Sequence, residues 1–89
     1  MRVIITDAAQ KDIERLDLIT ARRAFEKIEW LNTHFDERNH LGLSGMSKGY
    51  FKLRVGDWRI LYNFDIERQV IFIHLVDHRS RVYKRIVPS

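Results

Sequence analysis

The sequence predicts an α+β fold in which a two-helix hairpin packs on one face of a largely antiparallel four-stranded sheet, in the order β-α-α-β-β-β. Two observations predict it. Apolar residues recur at helical spacing through residues 8–35, and they recur at every second position from residue 50 onward. Helices and strands that are segregated along a chain in this way form an α+β domain. A chain of 89 residues has room for one hydrophobic core, so we expect a single domain over residues 1–89.

The helical half begins with a short β-branched run, R-V-I-I-T at residues 2–6, which predicts the first strand. Thr6 or Asp7 then supplies the side-chain oxygen that caps a helix over residues 8–17. The second helix is expected over residues 20–35, with an apolar stripe formed by Ala21, Phe25, Ile28, Leu31 and Phe35. The short connection between the helices predicts an antiparallel hairpin.

The strand half begins after residues 36–49, whose glycine, serine and asparagine content predicts a loop. Three strands of a meander are then expected at residues 50–55, 58–64 and 69–76, with turns at Gly56–Asp57 and at 65–68. Tyr50, Lys52 and Arg54 point to one face of the sheet, and Phe51, Leu53 and Val55 point to the other.

Charge decides which face is open. Burying an unpaired charge is too costly, so Lys52 and Arg54 must face away from the helices. The same argument places Arg59 on the open face, with Leu61 and Asn63 beside it. We therefore expect three cations, Lys52, Arg54 and Arg59, on one exposed and concave face of the sheet.

Composition restricts the partners of this face. The net charge is +4, and residues 50–89 hold eight Lys or Arg against four Asp or Glu, whereas residues 1–49 hold eight of each. This segregation favours a polyanion, most simply nucleic acid, over a solvated basic edge that prevents sheet aggregation. The chain has no cysteine, no signal sequence and no apolar run near the ~18 residues of a membrane span, so we expect a cytoplasmic protein without a membrane partner.

Several motifs resemble one family. They are L-S-G-M at residues 43–46, Y-F-K-L-R-V-G-D-W-R-I-L-Y at 50–62, H-R at 78–79 and V-Y at 82–83. Together they make the chain similar, over nearly its whole length, to the RelE/ParE superfamily of toxins from toxin–antitoxin pairs. RelE-like members of that superfamily cut messenger RNA in the ribosomal decoding site, whereas ParE-like members poison DNA gyrase.

The resemblance implies a RelE-like fold and a RelE-like function. The expected activity is that of a ribosome-dependent endoribonuclease, an mRNA interferase that inhibits translation without a metal or other cofactor. The expected partners are a cognate antitoxin protein, the ribosomal A site and mRNA. Two alternatives stay open, a ParE-like inhibitor of DNA gyrase and a catalytically inactive, toxin-like binding module.

By resemblance, Lys52 matches a catalytic strand lysine, Arg59 the arginine after the hairpin turn, Arg79 the arginine after the last strand and Tyr83 the C-terminal tyrosine. These four are the predicted catalytic residues. The predicted RNA-binding residues are Tyr50, Arg54, His78, Arg81 and Lys84. Tyr50 departs from the family pattern, because RelE carries a first strand lysine at that position. His74 and His78 lack a third ligand, so no metal site is predicted.

The chemistry of RNA cleavage explains why arginine, lysine and tyrosine are expected at these positions. When a 2′-hydroxyl attacks the adjacent phosphorus, the reaction needs a base, cations around the dianionic phosphorane and an acid for the 5′-oxygen. Arg59 and Arg79 suit the phosphorane because a guanidinium binds two oxygens and keeps its proton, and Arg54 suits phosphate binding. Lys52 or Tyr83 is the expected base, since neighbouring cations depress pKa values that start near 10.4 and 10. His78 is the alternative base.

Overall fold

The computed structural model describes residues 1–37, 40–42 and 49–86, so the L-S-G-M motif lies outside the described residues. The described elements, in chain order, are β1 (Arg2–Ile5), α1 (Asp7–Glu14), α2 (Leu18–Thr33), a 3-10 turn (Phe35–Glu37), β2 (Leu41–Gly42), β3 (Phe51–Val55), β4 (Trp58–Asp65), β5 (Val70–His78) and α3 (Val82–Arg85). Every helix in this part of the chain is too short or too polar to cross a membrane.

The strands form one sheet in the order β1-β5-β4-β3-β2. The β3-β4-β5 meander is antiparallel as predicted, whereas β1 pairs with β5 in parallel, from Arg2 opposite Val70 to Ile5 opposite Ile73. The α+β prediction is confirmed, but the sheet is mixed. Parallel pairing is possible here because the two helices and the meander lie between β1 and β5 in sequence and carry the chain back to the same end.

The loop predicted over residues 36–49 contains a short strand that the sequence did not indicate. Leu41 and Gly42 of β2 pair with Lys52 and Phe51 of β3 and extend the predicted four strands to five. A strand of two residues is too short to produce an alternating pattern, which is the signal on which strand prediction rests.

The helices cover one face of the sheet. Thr6 is the N-cap of α1, with its hydroxyl oxygen accepting the Ala9 N–H at 3.3 Å, and Asp17 caps α2 through the Thr20 N–H at 2.8 Å. The predicted stripe of α2 is wrong at Phe25, which is 43% exposed, because Ala24 takes the buried position instead. Phe25 lies at the border of the stripe, and Ala24 is 1% exposed.

The core between the helices and the sheet contains the inward residues of the meander. Its sheet side is formed by Leu53, Val55, Ile60, Tyr62, Ile71, Ile73 and Val76. Lys52 and Arg54 alternate with these residues and face the open side, as predicted. Leu61 pairs with Lys52 and so lies on the open side, as predicted, and it is nevertheless fully buried. It is on a central strand, between Lys52 on β3 and Leu75 on β5.

Candidate nucleic-acid interface

The open face of the sheet is built from rows of side chains that cross β3, β4 and β5. One row consists of Arg54, Arg59 and Asp77, and the next consists of Lys52, Leu61 and Leu75. Residues directly opposite on antiparallel strands have Cβ atoms about 5 Å apart, and diagonal neighbours lie at about 7–8 Å. Lys52, Arg54 and Arg59 are therefore neighbours on one face, as the sequence predicted.

The β3–β4 turn fixes the direction of Arg59. Its Nη1 donates to the carbonyl oxygens of Gly56 at 2.9 Å and Trp58 at 2.8 Å. The tight turn places the Gly56 carbonyl there, and Gly56 has the positive φ of 59° that favours glycine. Both hydrogen bonds use one nitrogen, so the guanidinium is held in place while its other N–H groups are available for an anion.

Arg79 lies at the same end of the sheet as this turn. Its backbone N–H donates to the Asp57 carbonyl at 2.8 Å, and its Nε lies 3.7 Å from the Asp57 carboxylate. The side chains of both residues are about two-thirds exposed, at 63% and 69%. An ion pair in this position contributes little to stability, so a phosphate can replace Asp57 as the partner of Arg79.

His78 is oriented by the residues that follow it. Nδ1 of His78 lies 2.8 Å from the Ser80 hydroxyl oxygen and accepts the Ser80 N–H at 3.2 Å. The ring also packs edge-on against Trp58, with centroids 5.5 Å apart. Ser80 therefore engages Nδ1, and Nε2 is the ring nitrogen that is left to face a ligand.

The remaining predicted site residues follow β5. Arg81 donates from Nε to Asp77 at 3.1 Å and lies over the Trp58 ring, 6.0 Å from its centroid. Tyr83 is half-buried and Lys84 is exposed on α3. Within the described residues, no hydrogen bond or ion pair joins Tyr83 or Lys84 to Lys52 or Arg59.

Asp77 stands opposite Arg59 in the sheet but binds other cations. Its carboxylate accepts the His78 N–H at 2.7 Å and bonds from Arg85 and Arg81, each at 3.1 Å. Partial burial alone raises the pKa of Asp77, but the His78 N–H and the two guanidinium groups outweigh burial and hold this pKa below its usual value. Asp77 therefore stays ionised and helps to hold Arg81 and Arg85 in place.

Asp12 and Arg85 form a contact that was not predicted from the sequence. Arg85 Nη1 lies 2.9 Å from both carboxylate oxygens of Asp12, and the Val76 N–H donates to the same carboxylate at 2.9 Å. Burial lowers the pKa of Arg85, but Asp12 and Asp77 more than compensate and raise it above its ordinary value. The available signal was Asp12 itself, a charged residue on the same side of α1 as the buried Ala9 and Ile13.

A cluster of aromatic and amide side chains on the open face was also missed, except for Tyr50. It consists of Tyr50, Asn63, Phe72 and His74, all of them half-buried. The alternation of Phe72 and His74 along the last predicted strand was the signal that pointed to it. In the described part of the chain, no group of three His, Asp or Glu side chains is arranged to hold a metal ion.

The family of this chain, whose sheet has helices on one face and clustered cations on the other, follows from comparison with known proteins. The family model described as the ParE toxin of the type II toxin–antitoxin system, parDE, matches residues 3–83. The chain therefore belongs to the RelE/ParE toxin superfamily, and the resemblance noted in the sequence is confirmed. No curated protein matches the chain.

Solved structures agree with this assignment. A chain of the toxin–antitoxin complex RelBE2 from Mycobacterium tuberculosis is 29% identical, with a TM-score of 0.77, and the match covers 88% of this chain and 96% of that one. The archaeal RelE–RelB complex from Pyrococcus horikoshii OT3 gives 26% identity, a TM-score of 0.70 and coverages of 91% and 97%. The isolated E. coli RelE toxin, at 20% identity and a TM-score of 0.71 over 97% of this chain and 98% of that one, shares the fold.

Proposed function

We propose that this toxin is a RelE-type endoribonuclease that cleaves messenger RNA on the ribosome. The observation that supports this function is the cationic cluster of the open face, formed by Lys52, Arg54 and Arg59, which are neighbours on two adjacent rows. Arg79 is tied to the turn that orients Arg59, at the end of the same sheet. Such a face suits a single phosphodiester, with several cations within reach of its oxygens.

The proposed reaction is attack of an RNA 2′-hydroxyl on the adjacent phosphorus, with loss of the 5′-oxygen of the next nucleotide. A base removes the 2′ proton, and an acid returns a proton to the leaving oxygen. Arg59 and Arg79 stabilise the phosphorane, Arg54 binds phosphate, and Lys52 or Tyr83 acts as the base. Arg81 and Lys84 serve as further RNA contacts.

A cognate antitoxin is the proposed protein partner. The M. tuberculosis and P. horikoshii relatives were both solved as toxin–antitoxin complexes. An acidic antitoxin segment that covers the open face would neutralise the cations that RNA requires. The ribosome is the second proposed partner, because its A site would present messenger RNA to the cationic cluster.

The test of this function is primer extension on messages from cells that express the chain, with Arg59→Ala as the inactive comparison. We expect new 5′ ends within translated messages, dependent on Arg59, and we expect purified protein to cut free RNA poorly until ribosomes are added. Messages that stay intact during growth arrest would show that the chain acts by another route.

A ParE-type function is the second candidate, because the matching family model is that of the ParE toxin. In that case expression would induce the DNA damage response, and purified protein would block supercoiling by DNA gyrase without cutting RNA. A chain that produces neither effect and allows normal growth would be an inactive, toxin-like binding module. The two assays, run on the same preparation, separate the three functions.

A further inference from the structure

A third row of side chains crosses the open face beside the Lys52 row. Phe72 on β5 is the partner of Asn63 on β4, and Tyr50 comes directly before Phe51, which is the partner of Tyr62. Rows on a sheet face are two residues, or about 7 Å, apart. Tyr50, Asn63 and Phe72 thus lie one row from Lys52 and two rows from Arg59.

A β-bulge inserts His74 into this row. Leu61 pairs with Leu75 and the next residue, Tyr62, pairs with Ile73, which leaves His74 without a partner position on β4. Bulges re-aim side chains, and here the His74 ring lies edge-on to Tyr50 at 5.3 Å and nearly parallel to Phe72 at 6.1 Å. The perpendicular rings of Tyr50 and His74 form a corner, in which a flat ligand that stacks on one ring directs its own edge to the face of the other.

The polar atoms of the corner are arranged for recognition. Nε2 of His74 lies 2.8 Å from Oδ1 of Asn63, and since Oδ1 only accepts, Nε2 is the donor. Among the residues that the structure describes, this leaves the Asn63 NH₂ group as a donor and His74 Nδ1 as an acceptor. Partial burial lowers the pKa of His74, which keeps the ring neutral and Nδ1 unprotonated near pH 7. A donor beside an acceptor complements the hydrogen-bonding edge of a nucleobase.

A cavity adjoins the corner. It has a volume of about 410 Å³, and Thr6, Tyr50, His74, Leu75 and Arg85 are among the residues that line it. Cavities of about 300–1,000 Å³ hold small organic ligands, so this one has room for a base and its sugar.

We propose that Tyr50, Asn63, Phe72 and His74 bind one unpaired nucleobase of single-stranded RNA, beside the phosphate that Lys52 contacts. The inference rests on the proposed RNA substrate, and it adds a base-binding site to the cationic cluster of Lys52, Arg54 and Arg59. Aromatic side chains on an open sheet bind unpaired bases by stacking, and each stacked base strengthens binding severalfold to more than a hundredfold. The site orients the nucleotide, and Lys52, Arg54 and Arg59 act on its backbone.

The experiment compares two ligands of equal charge. A fluorescent hexamer of 2′-O-methyl RNA, which cannot be cleaved by 2′-hydroxyl attack, is titrated by anisotropy alongside the same hexamer with abasic residues, at one salt concentration. We expect the purified chain to bind the intact hexamer about 5- to 150-fold more tightly than the abasic one. Tyr50→Leu and His74→Leu should each reduce this ratio severalfold while leaving the affinity for the abasic hexamer unchanged.

Two variants are the controls. Phe25→Leu removes an exposed aromatic ring on the opposite side of the sheet and should keep the full ratio. Arg59→Ala should weaken both hexamers equally, because it contacts the backbone. Circular dichroism and thermal unfolding of each variant establish that it is folded. If one of the two variants Tyr50→Leu and His74→Leu does not fold, the other alone is sufficient for the test.

The proposal is overturned if the purified chain prefers neither hexamer, if it binds neither, or if both aromatic variants keep the full ratio. Primer extension reports separately on the proposed function. Cleavage without a base preference rejects the base-binding site alone. A base preference without cleavage on the ribosome rejects the nuclease function and leaves an RNA-binding site.

Discussion

Asp12 in α1 and Arg85 in α3 are joined by two contacts of 2.9 Å, although 73 positions separate them in sequence. The same carboxylate accepts the Val76 N–H, on the part of β5 that extends beyond its pairing with β1. One buried side chain therefore connects the first helix, an open sheet edge and the last helix. Since α3 carries Tyr83 and Lys84, this contact also determines where those predicted site residues lie.

Replacing Asp12 should destabilise the fold. Asp12→Ala leaves the buried Val76 N–H without its acceptor and removes one carboxylate from Arg85, so we expect a loss of about 2 kcal/mol in the free energy of unfolding. Urea unfolding measures it. The Arg85 side chain is one-third exposed, so most of the loss should come from the Val76 N–H, and Arg85→Ala should cost less. Glu14→Ala, on an exposed position of the same helix, is the control, and an equal effect there would contradict this account.

Two leucines of α2 offer a matched comparison of burial. Leu31 is fully buried and Leu18 is 75% exposed. Leu31→Ala removes packing from the core and should lower the free energy of unfolding by about 2–5 kcal/mol, whereas Leu18→Ala should change it by less than about 0.5 kcal/mol. Thermal or urea unfolding of the pair provides the measurement. Similar losses for both would mean that α2 packs on the sheet through a different face.

Stability should depend on His74 in mildly acidic solution. Because burial lowers the pKa of His74 in the folded state, the unfolded chain takes up the proton first as the pH falls below about 6.5. The free energy of unfolding should therefore decrease from about pH 7 to about pH 5, and His74→Gln should remove this part of the decrease. Urea midpoints at the two pH values test it.

One comparison separates His74 from Asp77. The lowered pKa of Asp77 also stabilises the fold, but its contribution is complete above the unfolded value of about 3.9 and is lost only as the pH falls below it. If the decrease between about pH 7 and about pH 5 persists in His74→Gln, another group is responsible.

The shape of the Arg59 side chain should matter as much as its charge. Arg59→Lys keeps the charge but loses the planar fork that is held by the Gly56 and Trp58 carbonyls. Under the proposed function, we expect about a 100-fold loss in the single-turnover rate of cleavage on ribosomes, comparable to removal of one transition-state donor. Arg68→Lys, at the exposed β4–β5 turn, should cleave at the normal rate. Full activity in Arg59→Lys would exclude a bidentate role.

Much of the fold was readable from local patterns. The alternation through residues 50–55 correctly predicted which side chains of β3 face the helices, because a strand shows opposite sides at successive residues. The cap at Thr6 and the turn at Gly56 were readable for the same reason, since each depends on a few adjacent residues. The burial of Leu61 could not be predicted in this way, because Leu61 lies between residues of two other strands.

The sequence by itself determined the α+β class, the cationic face around Lys52 and Arg59, and the resemblance to the RelE/ParE toxins, because each is encoded in short-range spacing. Only the tertiary structure decided that β1 runs parallel to β5, that a bulge brings His74 against Tyr50 and Asn63, and that Asp12 reaches Arg85. These features depend on pairing register and on contacts between distant segments. Periodicity shows which face a residue occupies, but it does not show which distant residue lies opposite.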